Sequence, residues 1–432
     1  MKLYQEAVRP DEAIGFIIQH LCDGEYPDLE QIKTMKLDLE KITAERDRVA
    51  LELKVVKMDV KKTASEVEMA LMTKYQAFAD DETGHSLLKD YLTDELFEQY
   101  KGLKTELRGT LLDNIQCGLT LYDAEIGVYA SDQYAYTTFN LLFDPILKDL
   151  HEEGASEEAE PDGEVKTETE AAAVVNHPDL DWGDSDDLKD ADPEGMFIES
   201  MSITIGRALS ELHFMPTISI DKIKETSEKI RNVLITISDE EFAGKYHDVP
   251  DMEAEQKAKW IEEGILFAEP TDKYLEAAQT YRFFPMGRGL FLNDKGNLRV
   301  WVNEEEHLQV TSFSIGGNLK EIYQRLVKFM EFFNDFQFAR NTRWGFVAHN
   351  LKNIGNTMRV SFKIKLPQLG LPENLDKLES LADGCDMAFV DLGSGVVELT
   401  TKKRFGVTEI GTVKNVQTGI GEIIAAEKCL YA

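Results

Sequence analysis

The sequence predicts an α+β chain: helices lead, and an antiparallel sheet lined by helices follows. Three observations carry this. From about Leu29 to about Met72 there is neither proline nor glycine, and apolar residues recur every seven positions. Residues 84–151 read as short helices. From about Met196 onward, runs of period-2 alternation share the chain with long amphipathic stretches, without the regular rhythm of βαβ units.

Residues 1–28 include "RPDEAIGFIIQHL". Pro10 fits the first turn of a helix, and Ala13, Ile14, Ile17, Ile18 and Leu21 make one apolar face. One short helix cannot hide that face, so it needs a partner, either a second copy of itself or another part of the chain. Residues 29–72 follow as a coiled coil. Ile32, Leu39, Arg46, Leu53, Val60 and Val67 occupy position a, and Met35, Ile42, Val49, Val56, Thr63 and Ala70 position d. Only Arg46 and Thr63 break the seam. At 1.5 Å per residue such a helix would be roughly 60 Å long.

In residues 84–151, "SLLKDYLTDELFEQY" opens on Ser86 as a helix N-cap. Residues 152–176 are acidic and poor in aromatics, so they read as a disordered surface insert that cannot bury enough apolar area to offset its ordering entropy. Residues 177–432 form the sheet domain. "RVWVN", "LQVTSFSI", "MRVSFKIKL" and "MAFVDL" are its strands, and "LKEIYQRLVKFMEFFNDF" is a long amphipathic helix.

The net charge of −33 repels phosphate backbones and anionic lipid, which argues against nucleic acid and bare membrane as direct partners. Cys22, Cys117, Cys385 and Cys429 form no C-x-x-C pair and no zinc-like spacing, which suits a reducing compartment. The first residues lack the pattern of a signal sequence, and no apolar run approaches a membrane span of about 20 residues. A cytoplasmic location is the expectation. In "VWVNEEEHLQ" three glutamates precede a histidine. If this stretch is extended, only Glu304 and Glu306, or Glu305 and His307, share a side, and no metal site is expected.

The quoted pieces, with "GTLLDNIQCGL", "IGVYASDQYAYTTFNLLFDPIL", "RFFPMGRGLFLND", "GGNLKEIYQRL", "IGNTMRVSFKIKLP" and "KKRFGVTE", occur in the order of the landmarks of the phosphagen (ATP:guanido) kinases. The chain resembles that family, its arginine kinases most, from about residue 84 to the C-terminus. The resemblance implies a small helical domain, a large domain with an antiparallel sheet, and an active site between them. It also implies transfer of the terminal phosphoryl group of Mg-ATP to a guanidino nitrogen. Such transfer depends on positioning and on cations around the phosphate oxygens, which planar, permanently charged arginine supplies best.

By that resemblance the arginine clamp is altered. The family's S-T-R-x-R-x-G-R strand reads "SMSITIGR", placing Ser202 and Thr204 at two clamp positions beside the retained Gly206 and Arg207. Gln309 stands at a third, and Arg359 is kept at a fourth. The mobile loop that carries a fifth is shortened between "MAFVDLGSG" and "VVELTTKKRFG". The reactive cysteine aligns with Asn350, two adenine-side histidines with Gly264 and Lys363, and the substrate loop places Glu125 near the guanidino site. Glu305 aligns with the glutamate that binds the guanidinium. Arg282 and Arg288 read as loop supports held by carboxylates, and Arg359 as a structural ion-pair partner.

One arginine aimed at a transferring phosphate contributes about 10³ to 10⁵ in rate. The expectation is therefore a pseudoenzyme with no tight Mg-ATP binding and no cofactor, serving as a non-catalytic scaffold. The alternative is an active, arginine-kinase-like phosphotransferase that supplies or buffers ATP locally in a cilium. Near the front, "RPDEAIGFIIQHL" followed by "YPDLEQIKTMKLDLEKITAERDRVALELK" is similar to the C-terminal half of the c-Myc-binding protein and to the docking-and-dimerisation segments of type II regulatory subunits of protein kinase A. That similarity implies a dimer, an amphipathic anchor helix or other axonemal proteins as partners, and placement in a ciliary or flagellar axoneme.

Overall fold

The computed structural model describes residues 29–58, 63–152 and 176–430. The expected docking helix at 1–28, and all but the end residues of the acidic insert at 152–176, lie outside the described residues. Contacts divide the chain into two units, Met1–Lys61 and Lys62–Ala432.

In the first unit the described element is one helix, α1 (Leu29–Met58). Its seam residues Leu39, Val49 and Leu53 are 44%, 47% and 48% exposed. The heptad pattern predicts one helix as far as Met72, but a new helix, α2 (Ala64–Asp80), begins after Thr63. Thr63 is extended, its hydroxyl accepts the Glu66 N–H, and the Glu66 carboxylate accepts the Thr63 N–H at 2.7 Å. This capping box satisfies otherwise orphaned donors and fixes a helix start. The apolar face of α2 is buried in the second unit through Leu71, Tyr75 and Phe78, and Tyr75 stacks on Phe97 at 3.5 Å. Thr63, which broke the heptad seam, is thus where one helix gives way to another.

Five short helices follow: α3 (Leu87–Tyr91), α4 (Asp94–Tyr100), α5 (Leu111–Ile115), α6 (Ala135–Thr138) and α7 (Asn140–Glu152). Ser86 caps α3 as expected, and the stretch it opens divides at Thr93, which caps α4 with its own side chain. Their core joins Leu88, Phe97, Ile115, Phe139 and Phe143 to Phe214, Trp344, Val347, Leu351 and Phe405 from later in the chain. The helical domain therefore shares its core with the segments that border the sheet.

The large domain contains β1 (Ile198–Arg207), α8 (Ile220–Thr236), β2 (Gly244–Asp248), α9 (Ala254–Glu262), α10 (Lys273–Ala277), β3 (Gly289–Asn293), β4 (Leu298–Val302), β5 (Leu308–Ile315) and α11 (Leu319–Met330). The short pair β6 (Arg340–Asn341) and β7 (Gly345–Phe346) precedes β8 (Met358–Lys365), α12 (Leu375–Gly384), β9 (Met387–Gly393), β10 (Val396–Thr401) and α13 (Glu409–Cys429). Eight strands form an antiparallel sheet in the order β2-β3-β4-β5-β1-β8-β10-β9.

Alternation along each strand gives the sheet two faces. Met201, Ile203, Ile205, Val300, Val310, Val360 and Phe362 point to one side and pack with Ile230, Leu326, Phe329, Val413 and Ile420 from the covering helices. The intervening residues point to the other side, where the candidate site lies. No helix among the described residues is long and apolar enough to cross a membrane.

Candidate functional site

The polar face is built by register. Arg299 on β4 pairs with Thr311 on β5, Thr311 with Thr204 on β1, and Thr204 with Arg359 on β8. The four residues form one cross-strand row, with Thr204 and Thr311 joined by a hydroxyl hydrogen bond of 2.9 Å. Strands lie about 4.8 Å apart, so the two arginine Cα atoms are separated by roughly 14 Å. Their long side chains can converge above the threonines. In the next row Trp301, Gln309 and Gly206 are partners, and on the other side lie Phe313, Ser202 and Ser361. Ser202, Thr204, Gln309 and Arg359 thus all lie on the predicted surface.

Arg359 is exposed and, among the described residues, forms no ion pair with a carboxylate. Its charged neighbours are arginines. Arg404 is held down to about 10 by burial and then by repulsion from Arg359, and Arg299 is lowered to about 10 by the same two causes. The expected structural ion pair of Arg359 is therefore corrected. Its guanidinium repels those of both Arg299 and Arg404, an arrangement suited to an anion. Arg404 also senses Glu305 and is anchored by donation to the Lys352 carbonyl at 2.9 Å.

Gly264, at φ +67°, sits in the loop after α9, and its carbonyl accepts a hydrogen bond from Arg299. Trp301 Nε1 bonds the next carbonyl, Ile265, at 2.9 Å. Lys363 lies further along β8, 3.7 Å from Glu199. Of the two positions expected on the adenine side, one therefore lies in a loop and the other on a strand, each with a protein partner.

Residues 303–307 are a turn between β4 and β5, not extended chain, so the expected pairing of alternate acidic residues fails. Asn303 adopts φ +55°, its N–H bonds the His307 carbonyl at 3.1 Å, and its side-chain amide donates to the carbonyls of Ile223 and Gly287. Successive carboxylates now converge. His349 Nε2 lies 3.7 Å from Glu305, and Nδ1 lies 3.4 Å from Glu306. Glu304 is pushed up to about 7 by burial and then by Glu305, and burial also raises Glu306. His307 is lowered to about 4 by burial; its Nδ1 accepts the Leu209 N–H at 2.9 Å while Nε2 faces the His213 carbonyl.

Asn350 donates from Nδ2 to Glu305 at 3.0 Å. Its loop is tied to the helical domain through the Tyr129–Asn350 bridge and a 2.7 Å ion pair between Lys352 and Glu125. Glu125 is therefore paired with a lysine beside the Asn350 loop. Arg282 donates to the Ile218 carbonyl at 2.9 Å, while buried Arg288 reaches the carbonyls of Met286 and Thr280. Both hold loops through these carbonyls, and Arg288 also senses the Glu304 carboxylate. Between β9 and β10 the chain turns tightly through Gly393, Ser394 and Gly395, all at positive φ.

The helical domain matches the N-terminal domain of ATP:guanido phosphotransferases over residues 82–148, and residues 225–430 match the C-terminal catalytic domain of that family. Arginine kinase of Carcinus maenas is 37% identical over 354 residues, covering 79% of this chain and 92% of that protein. This chain is a phosphagen kinase family member. The arginine kinase Lit v 2 of Penaeus vannamei is 36% identical over 351 residues, 79% of this chain and 93% of its own. The substrate-free duplicated taurocyamine kinase of Schistosoma mansoni matches with a TM-score of 0.70 and 29% identity. It covers 85% of this phosphagen kinase relative, which spans 49% of the duplicated chain. A lombricine kinase structure shares the fold, with a TM-score of 0.73, 22% identity, and coverage of 83% of this chain and 96% of its own.

These comparisons overturn the expected non-catalytic scaffold, because the relatives are kinases for arginine, taurocyamine and lombricine. The altered clamp positions are legible in the sequence, whereas the nearness of Arg299 and Arg404 to Arg359 is not. Arg299 lies in a strand whose sequence signal is its alternation, and Arg404 in the loop "KKRFG". His349, beside Asn350, carried no signal that it would meet two glutamates more than 40 positions away.

Proposed function

We propose that this chain transfers the terminal phosphoryl group of Mg-ATP to a guanidino compound, using a smaller cationic clamp than the family pattern contains. The observation that carries the reading is Glu305, partly exposed at 21%, held by Asn350 and close to Arg404. A carboxylate so placed can bind a guanidinium and accept its proton as the nitrogen attacks. The P–N bond then forms as the bond between the γ-phosphorus and its bridging oxygen breaks; ADP leaves, and Glu305 keeps the proton.

Arg359, Arg404 and Arg299 supply charge for the phosphates, with the hydroxyls of Thr204 and Thr311 between them. Loss of arginine at Ser202, Thr204 and Gln309 makes the reaction slow, though by less than the product of three single losses, because groups that act as a unit are not additive. The tight turn between β9 and β10 leaves the site less shielded from water. The test is phosphorus NMR of the purified protein with Mg-ATP and arginine, taurocyamine or lombricine. An acid-labile N-phosphoryl product that disappears in Glu305→Gln is expected. No product above the Glu305→Gln level with any of the three would overturn the proposal.

The exposed seam of α1 supports pairing through this helix, and with it the expected dimer and protein anchor. Tethered in that way, the enzyme would buffer ATP locally, in the ciliary setting implied by the N-terminal resemblance. Sedimentation equilibrium checks the pairing: the full chain should be a dimer and residues 62–432 a monomer. A monomeric full chain would reject it.

A further inference from the structure

His349 is fully buried, yet carboxylate oxygens face both of its ring nitrogens: Glu305 at 3.7 Å from Nε2 and Glu306 at 3.4 Å from Nδ1. A neutral imidazole has one N–H and one lone pair, so one of these contacts would set a lone pair against a carboxylate. The imidazolium has a donor on each side. Neither ring nitrogen nor the Glu306 oxygen nearest the ring has a hydrogen-bond partner among the described residues, so the two glutamates meet the ring at ion-pair distance and not through formed hydrogen bonds. The contacts to Glu305 and Glu306 are therefore the only polar outlets for this ring among the described residues.

We propose that His349 is a positioning residue that, as an imidazolium, bridges Glu305 and Glu306 and holds the Glu305 carboxylate in place to receive a guanidinium. The inference rests on the phosphotransferase reading for its catalytic consequence, but the bridge itself does not. Two further features favour it. The ring is fixed by its backbone, since the His349 carbonyl accepts the Ala130 N–H at 2.8 Å, and it lies nearly parallel to Tyr129 at 6.0 Å. Glu305 is also held by Asn350, so two neighbouring residues aim one carboxylate from the same side.

The charged and titratable groups around the ring are Glu304, Glu305, Glu306 and His307 from the turn, Tyr129 from the helical domain, and Tyr136 behind Ala348. Burial favours the neutral ring, but the three glutamates together raise His349 above its ordinary value. His307, lowered to about 4 by burial, adds little opposing charge near neutral pH. The acidic turn therefore carries a balancing cation supplied by a different segment.

The experiment is long-range ¹H–¹⁵N NMR of the full-length protein at pH 7, with His349→Gln used for assignment, alongside kcat and KM for the guanidino substrate and for Mg-ATP. Two protonated ring nitrogens are expected. In Glu306→Gln the ring should lose its charge at a lower pH. In His349→Gln the KM for the guanidino substrate should rise roughly 10-fold while that for Mg-ATP stays, because the carboxylate that receives the guanidinium loses one charged contact. A ring protonated on a single nitrogen at pH 7 overturns the bridge, whether or not the protein turns over. An unchanged guanidino KM in a folded His349→Gln overturns the positioning role. If that variant does not fold, an unchanged His349 titration in Glu306→Gln overturns the bridge instead. A doubly protonated ring without turnover sustains the bridge and refutes only the phosphotransferase reading.

Discussion

Arg359→Ala separates a phosphate ligand from a structural arginine. A charge-assisted hydrogen bond is worth about 1.5–3 kcal/mol, so deleting Arg359 should weaken Mg-ATP or Mg-ADP binding roughly 10- to 150-fold. Stability should respond differently. The charged neighbours of Arg359 are Arg404 and Arg299, and it helps to hold both near 10. Removing it relieves repulsion and breaks no ion pair with a carboxylate among the described residues, so the unfolding free energy should stay within about 0.5 kcal/mol of the parent or rise. Calorimetric titration and urea unfolding in one buffer read both quantities. A loss of more than about 2 kcal/mol in stability, with nucleotide affinity unchanged, would refute the reasoning, because only a partnered structural arginine behaves that way.

Arg207 supplies the contrast. It is buried against Glu409 at 3.4 Å, donates to the Asn356 carbonyl and stacks over Phe346 at 3.6 Å. Arg207→Ala should cost about 3–5 kcal/mol in urea unfolding, because it strands a buried carboxylate. His307 is lowered to about 4 in the folded chain against an ordinary value near 6.5. The unfolded chain therefore binds the extra proton as pH falls through that window, and stability on the order of 3 kcal/mol is lost between about pH 6.5 and 4. His307→Gln should remove that part of the pH slope in thermal melts, and a parallel slope would contradict it. Leu71→Ala should destabilise the second unit by about 2–5 kcal/mol, whereas half-exposed Leu53→Ala should leave its unfolding unchanged. Equal effects would return α2 to the coiled coil.

Much of the fold was legible because the signals were local. The strand at 308–315 has the bounds its alternation predicts, and Ser86 caps a helix as its residue type suggests. The heptad pattern gave the helix at 29–58 but overran its end. Periodicity cannot distinguish a seam facing another chain from a face buried in the same unit. Thr63 carried the needed information, and only the capping box with Glu66 and the burial of Leu71 gave it meaning.

By itself the sequence determined the order of helices and strands and the alternation that gives the sheet one apolar and one polar face. Through the family's residue order, it also determined which positions border the site. Each depends on spacing along one segment. The tertiary structure decided which charges meet. Asn303 bends the acidic stretch so that neighbouring glutamates converge, register across four strands sets Arg299 and Arg359 in one row, and His349 meets its glutamates from a separate loop. Coulomb energy and hydrogen bonding act over a few ångströms of space, and no periodicity in one segment records the neighbours that folding brings from another.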